Sequence, residues 1–193
     1  EVEQLTINPA DYAYEITKTG KRDNSVENDR IHRQKQEGLY YVEYHPAGGD
    51  ANVEHLLAAL DYAVRLDQVE ARIAPDQALF FINLNADEAR KIAELTDDSA
   101  GNDFRRSVSC VGSTVCQIGM QDSNGLLKDI FGHLEEKGVD TSKLPRLHIS
   151  GCPHSCGTHQ IGEIGFHGAV KLVDKKPTVA FILVDGGSEH MGS

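Results

Sequence analysis

Long hydrophobic runs are missing from this 193-residue chain. The longest, residues 179–184, has the length of a β-strand and falls far short of the about 20 apolar residues that cross a bilayer. Hydrophobic residues make up 39% of the chain and charged residues 25%, as is typical of a globular protein with a buried core. We therefore expect a protein that does not enter membranes.

An excess of positive charge is also missing. The formal net charge is −11, and residues 1–100 hold 10 Lys and Arg against 20 Asp and Glu, whereas residues 101–193 hold 9 against 10. Nucleic-acid binding depends on basic surfaces that neutralise phosphates. The acidic front half therefore argues against a nucleic-acid partner.

Cysteine is scarce, yet its distribution is informative because all four residues lie in two short motifs. Cys110-Val-Gly-Ser-Thr-Val-Cys116 leaves five residues between its sulfurs, and Cys152-Pro-His-Ser-Cys156 leaves three. A disulfide framework is disfavoured, because the small secreted domains that depend on disulfides use cysteine more densely. We accordingly expect a cytoplasmic protein without a signal peptide.

Two cysteine pairs on loops suit an inorganic centre that takes four soft ligands. A structural zinc usually binds pairs separated by about two to four residues, and the first pair exceeds that spacing. A cubane iron–sulfur cluster tolerates wider spacing, because each thiolate binds a different iron. Four inert, buried cysteines are a third interpretation, which does not explain why none lies outside the motifs. Spacing favours the cluster and leaves the other two open.

The sequence around the cysteines resembles that of the sirohaem-dependent sulfite and nitrite reductases. The match combines both spacings, the 35 residues between the motifs and the run Ile149-Ser-Gly-Cys-Pro-His-Ser-Cys-Gly157, which continues into residues 159–166. In that family the last of four cysteines also bridges the cluster to the sirohaem iron. The resemblance thus implies sirohaem bound through Cys156. It also implies a [4Fe–4S] cluster held by Cys110, Cys116, Cys152 and Cys156.

Three further site residues follow from the resemblance. Arg105 and Arg106 lie just before the first cysteine, and we expect them to bind carboxylates of sirohaem, which guanidinium groups satisfy well. Gln77 matches the last residue of a Thr-x-Arg-Gln turn in the family and is expected to contact the macrocycle. In that turn Asp76 replaces the arginine, and His154 stands where the family commonly has asparagine. The Asp76 carboxylate would repel an oxyanion substrate, whereas the arginine of the family would attract it. The sequence therefore offers no residue at this turn that we can assign to catalysis.

Hydrophobic periodicity predicts an α+β fold of two units. In residues 38–100 we expect strands at 39–45, 69–74 and 78–84, and helices at 53–66 and 86–95, the second capped by Asn85. In residues 101–187 we expect a helix that stops at Gly138 and strands at 146–150, 163–166, 169–173 and 178–184.

The resemblance identifies residues 38–100 as a ferredoxin-like half-domain and residues 101–187 as an α/β half-domain that binds the [4Fe–4S] cluster and sirohaem. Residues 1–37 are predicted to be a polar arm or linker, and residues 188–193 a tail of artificial origin.

The family is built from two copies of this pair of half-domains, and the chain resembles the second copy alone. The resemblance implies a half or subunit of an oxidoreductase that passes electrons from the cluster to sirohaem for the six-electron reduction of sulfite or nitrite. Expected partners are that substrate, an electron donor such as ferredoxin or a flavoprotein, and a complementary repeat or a second copy of the chain. The alternative is a [4Fe–4S] electron-transfer module with neither sirohaem nor catalysis of its own.

Overall fold

The structure, a computed structural model, describes residues 15–26 and 28–188. Two four-stranded sheets, one in each half of the chain, form the α+β fold expected from the sequence. The first unit contains β1 (Ile31–Arg33), β2 (Tyr40–Tyr44), α1 (Val53–Ala63), β3 (Glu70–Ile73), β4 (Leu79–Leu84) and α2 (Ala86–Leu95). The second contains β5 (Val108–Ser109), α3 (Ser123–Glu136), β6 (Leu147–Ser150), β7 (Ile164–Val173) and β8 (Lys176–Asp185).

The first sheet is antiparallel, with the strand order β1-β2-β4-β3. Side chains alternate along β2, so that Tyr40, Val42 and Tyr44 are buried against the helices. Small residues on the facing helices, such as Ala59 of α1 and Ala89 of α2, are fully buried and let the helices approach the sheet closely. Burial of each large apolar side chain contributes about 1.5 to 3 kcal/mol, which makes this layer the core of the first unit.

The second helix begins and ends where the sequence predicted. The Asn85 side chain accepts hydrogen bonds from the backbone N–H groups of Asp87 and Glu88, both at 3.0 Å. The Glu88 carboxylate in turn accepts the Asn85 N–H at 2.8 Å. This reciprocal arrangement satisfies donors that a helix start otherwise leaves unpaired, so the cap predicted from the sequence is confirmed.

Part of the segment predicted as a polar arm belongs to the first sheet. Residues 31–33 form β1, which pairs with β2 through Ile31 and Val42. The Arg30 guanidinium donates to the carbonyl oxygens of Ala93 and Thr96, each at 2.6 Å, and thereby binds the segment to the end of α2. Residues 1–14 and the tail beyond 188 lie outside the described residues.

The second sheet has the order β5-β6-β7-β8 and is partly parallel. Strands β5, β6 and β7 run parallel, with α3 as the crossover between β5 and β6, whereas β7 and β8 form an antiparallel hairpin. The core contains Phe104, Leu127, Phe131, Leu147 and Ile149. Across both described ranges, no helix is long and apolar enough to cross a membrane.

Residues 163–173 differ from the prediction of two strands. They form one continuous strand, Ile164–Val173, because Gly168 stays in the ladder opposite Phe181. A Cβ at Gly168 would stand 2.2 Å from the carbonyl oxygen of Gly151. This glycine therefore permits close approach of the backbone that precedes the second cysteine pair, where the sequence suggested a break.

Charged side chains alternate in sign across the boundary between the two units. Arg106 lies 3.7 Å from Glu43 and 3.6 Å from Asp103. Arg146 lies 3.3 Å from Asp76 and 3.7 Å from Asp103. Because Glu43 and Asp76 belong to the first unit and the other three residues to the second, these side chains form one ionic network that joins the units.

Candidate metal centre

Both cysteine motifs begin at the same edge of the second sheet. Strands β5 and β6 are parallel neighbours, with Ser109 opposite Ile149. Cys110 follows β5 directly, and Cys152 comes two residues after the end of β6. Since parallel strands end at one edge of their sheet, the topology brings together two motifs that are far apart in the sequence.

Backbone hydrogen bonds bind the two cysteine loops to each other. The Cys110 N–H donates to the Ile149 carbonyl oxygen at 3.0 Å. The N–H groups of Met120 and Gln121 both donate to the Gly151 carbonyl oxygen, at 3.0 and 2.9 Å. The loop that carries Cys110 and Cys116 therefore folds back onto the residue that precedes Cys152.

Two glycines make this close approach possible. Gly112 lies in the left-handed region with φ at +64°, and a Cβ there would stand 2.6 Å from the Ser123 backbone nitrogen. A Cβ at Gly151 would stand 2.6 Å from the Gln121 carbonyl oxygen. Neither space accepts a side chain without displacing backbone, so both motifs need glycine at these positions.

The four thiols differ in their surroundings. Cys152 is buried, Cys110 and Cys116 are half-buried, and Cys156 is exposed. The Cys110 sulfur accepts a hydrogen bond from the Gly151 N–H at 3.1 Å and lies 3.1 Å from the Ser123 hydroxyl oxygen. The cysteine predicted to bridge two cofactors is thus the one most open to its surroundings.

No three of the four sulfurs lie as close together in the structure as the ligands of one zinc ion would. Two thiolates on one zinc, each bound at about 2.3 Å, lie at most about 4.6 Å from each other. Within residues 15–26 and 28–188, the group of metal-ligating atoms that lie within 4.8 Å of one another is His55, Asp97 and Asp98, and it contains no cysteine. A cubane does not need such a close group, because it places each thiolate on its own iron.

A second hydrogen-bond network holds the loop of Cys152 and Cys156. The Gly157 N–H donates to the Ser150 hydroxyl oxygen at 3.0 Å, and that oxygen lies 2.9 Å from Nδ1 of His159. The buried His159 ring packs on His167 with centroids 4.7 Å apart. Burial lowers the pKa of His159 and the neighbouring His167 lowers it further, which favours the neutral form of the ring.

Gln77 lies beside the first motif and binds protein backbone. Its Nε2 donates to the Ser109 carbonyl oxygen at 2.7 Å, and its Oε1 accepts the Ser109 N–H at 3.4 Å. The predicted contact with a macrocycle stays a prediction, whereas the observed contact fixes the strand that leads into Cys110. Sequence reasoning missed this role, as it missed Ser123 and Ser150, because each acts through a contact distant in the sequence.

Arg105 and Arg106, which the resemblance predicted to bind carboxylates of sirohaem, form ion pairs within the chain. The Arg105 guanidinium lies 4.8 Å above the Phe131 ring and 3.4 Å from the Glu135 carboxylate. Arg106 belongs to the ionic network between the units. The structure therefore gives both arginines structural partners beside the cysteine motifs.

A cavity of about 930 Å³ lies between the two units. The turn at residues 74–76 lines one side, and the segments 142–146 and 158–163 line the other. Its charged residues are Asp76, Asp103 and Glu163 against Lys143 and Arg146. None of the four cysteines lines this cavity, whereas the thiols and their glycine-containing loops match an iron–sulfur cluster.

Comparisons with known proteins relate the chain to two kinds of reductase. No protein-family model matches it. The chain is 32% identical over 144 residues to the ferredoxin–nitrite reductase of Synechococcus elongatus, a match that covers 72% of this chain and 28% of that protein. It is 27% identical over 124 residues to the NADPH sulfite reductase hemoprotein beta-component of Bacillus licheniformis, covering 58% of this chain and 22% of that protein.

A solved structure shares the fold. The Mycobacterium tuberculosis NirA protein aligns with a TM-score of 0.70 and 22% sequence identity, over 90% of this chain and 34% of that one. The chain therefore spans about a third of that structure and 28% and 22% of the two curated relatives.

Proposed function

Because the chain belongs to the family of sirohaem-dependent sulfite and nitrite reductases, which are oxidoreductases, we propose that it is the cluster-bearing part of such an enzyme. Reductases of this family contain a [4Fe–4S] cluster and sirohaem. The first sheet unit would be the ferredoxin-like half-domain of residues 38–100, and the second the cluster-binding half-domain of residues 101–187. The bound cluster would supply one-electron transfer to the site where sulfite or nitrite is reduced.

The observation that carries this proposal is the joining of the two cysteine motifs at one sheet edge. Cys110 and Gly151 are in direct contact through the N–H···S hydrogen bond of 3.1 Å. The proposed cluster ligands are Cys110, Cys116, Cys152 and Cys156. The buried Cys152 and the half-buried first pair would fix the cluster, while the exposed Cys156 would face a second cofactor.

The residues around the thiols have supporting roles in this proposal. Gln77 holds the end of β5, and the contact between Ser150 and His159 holds the second loop. Both groups would keep the thiolates in place while charge on the cluster changes. The partners required are an electron donor, such as ferredoxin or a flavoprotein, and a complementary repeat or second copy that supplies cationic groups for the oxyanion. A cytoplasmic location fits four unpaired thiols.

A second candidate function is a [4Fe–4S] electron-transfer module without sirohaem. The ion pairs that Arg105 and Arg106 form within the chain favour this candidate, since both guanidinium groups already face carboxylates of the protein. The two candidates share the cluster and differ in the second cofactor.

Anaerobic reconstitution separates these functions. Full-length protein is loaded with iron and sulfide, with and without sirohaem, and assayed for metal content and absorption. Four iron and four sulfide per chain support the cluster, and an additional macrocycle band in the red supports the reductase part. Ser replacements of each cysteine should lower iron content, whereas Ser113→Ala in the same loop should not. Zinc in place of iron, or no bound metal, would contradict the proposal.

A further inference from the structure

Ser123, the first residue of α3, lies against the first cysteine of the candidate centre. It is fully buried, and its hydroxyl oxygen lies 3.1 Å from the Cys110 sulfur and 2.8 Å from the Cys110 carbonyl oxygen. The missing side chain of Gly112 leaves room for this contact, since a Cβ there would stand 2.8 Å from the Ser123 hydroxyl oxygen. Helix, loop and cysteine are thus packed around one hydroxyl group.

The hydrogen of the Ser123 hydroxyl can be donated either to the Cys110 sulfur or to the Cys110 carbonyl oxygen. Which of the two accepts it depends on whether the sulfur is a thiol or a thiolate. In the free thiol, the Cys110 S–H can donate to the Ser123 oxygen while Ser123 donates to the Cys110 carbonyl oxygen. A metal-bound thiolate has no hydrogen and only accepts. Hydrogen bonds to a charged acceptor are about twice as strong as those to a neutral one, which favours the sulfur once it is a ligand.

Cys110 is distinguished from the other three cysteines by these contacts. In the part of the chain that the structure describes, hydrogen-bond contacts of a cysteine sulfur are found at Cys110 alone, where the Gly151 N–H donates to the sulfur and the Ser123 hydroxyl oxygen lies 3.1 Å from it. Donors to a ligand sulfur stabilise the form of a cluster that carries more negative charge, and this raises its reduction potential.

We propose that Ser123 is a positioning residue that donates a hydrogen bond to the Cys110 thiolate and raises the reduction potential of the cluster. This inference rests on the proposed function, because it requires the cluster to be present.

The test measures reduction potential on reconstituted full-length protein by a redox titration monitored by electron paramagnetic resonance. Ser123→Ala should retain iron and sulfide and shift the midpoint potential to a more negative value. Ser123→Thr, which keeps the hydroxyl, should restore a midpoint close to that of the wild type. The matched control Ser113→Ala removes a serine from the same loop, where the side chain is exposed, and should leave the midpoint unchanged.

If Ser123→Ala fails to bind a cluster, its midpoint potential cannot be measured. A second measurement on the wild type then tests the same hydrogen bond. A buried backbone N–H exchanges slowly with D₂O, whereas a hydroxyl hydrogen exchanges rapidly once local opening admits water. The Fe–S(Cys) stretching band in resonance Raman spectra should therefore shift after incubation in D₂O, before the Gly151 N–H has exchanged. An unchanged midpoint in a fully loaded Ser123→Ala variant, or a band insensitive to D₂O in the wild type, overturns the inference. Absence of iron from the wild type would instead overturn the proposed function.

Discussion

The side-chain amide of Gln77 donates to the Ser109 carbonyl oxygen at 2.7 Å and accepts the Ser109 N–H at 3.4 Å, so a turn of the first unit pairs with the last residue of β5. This contact joins the two units directly beside the first candidate ligand. It also gives a functional meaning to the left-handed backbone of Gln77, whose φ is +69°. In this conformation the turn presents the amide to the strand.

Replacement of Gln77 by Ala should weaken both folding and metal retention. The change leaves two backbone groups of Ser109 without their partner, at a cost of about 1 to 3 kcal/mol if the site stays dry. Urea unfolding should show the lost stability, and iron content after gel filtration should fall. Gln36→Ala, at an exposed position, is the control. Equal stability and iron retention in the two variants would contradict a positioning role for Gln77.

Replacement of Gly151 by Ala should separate the two cysteine loops. The new Cβ would stand 2.6 Å from the Gln121 carbonyl oxygen, and that neighbour is backbone that cannot move alone. We expect iron and sulfide binding to fall several-fold, measured after anaerobic reconstitution. Gly101→Ala is the matched control, because a Cβ there meets no atom within 4 Å. Full iron binding by Gly151→Ala would show that the loops tolerate a wider separation.

Replacement of Asn85 by Ala should destabilise the first unit by about 1 kcal/mol, the usual cost of losing a helix N-cap. The Asn85 side chain accepts two backbone hydrogen bonds from the first turn of α2, in the unit that does not carry the cysteines. Thermal unfolding should therefore shift to lower temperature while iron content per folded chain stays the same. A Ser substitution, which preserves the cap, should recover most of the stability. A loss of iron without a loss of stability would argue against this separation of roles.

Stability should fall as the pH decreases from 7 towards 5, in part because of His45. Burial lowers the pKa of this fully buried histidine, although Asp76 and Glu43 oppose the effect and Arg146 adds to it. The unfolded chain therefore takes up a proton near the ordinary histidine pKa of about 6.5, and the folded chain does so only at lower pH.

Urea titrations at several pH values test this expectation. His45→Gln should reduce the loss of stability on acidification, since the variant has no imidazole at this position to protonate. His133→Gln, at an exposed position of α3, should retain the wild-type dependence. An unaltered pH dependence in His45→Gln would contradict the assignment.

Features that depend on neighbours in the sequence could be predicted. The helix that starts after Asn85 was predicted to the residue, because the cap and the apolar spacing are both local. The strand at Tyr40–Tyr44 and the α+β class follow from alternating and helical periodicity in the same way. The two cysteine motifs were likewise visible as spacing.

Features that depend on distant partners could not be predicted. Arg106 looked available for a cofactor carboxylate, but its partner Glu43 comes from another sheet unit. Gly168 looked like a strand break, although in the structure it stays in the ladder and makes room for Gly151. In both cases the deciding contact is tertiary, and a single sequence contains no local sign of it.

The parallel pairing of β5 with β6 also sets the order of events during biosynthesis. The contact between Cys110 and Gly151 closes a stretch of 41 positions, which must include the α3 crossover before the strands can meet. Closing such a stretch costs chain entropy that hairpins and single helices avoid, so this edge forms late. A nascent polypeptide that has emerged only as far as α3 would carry two of the four proposed ligands, and insertion of the proposed cluster would have to await the completed crossover.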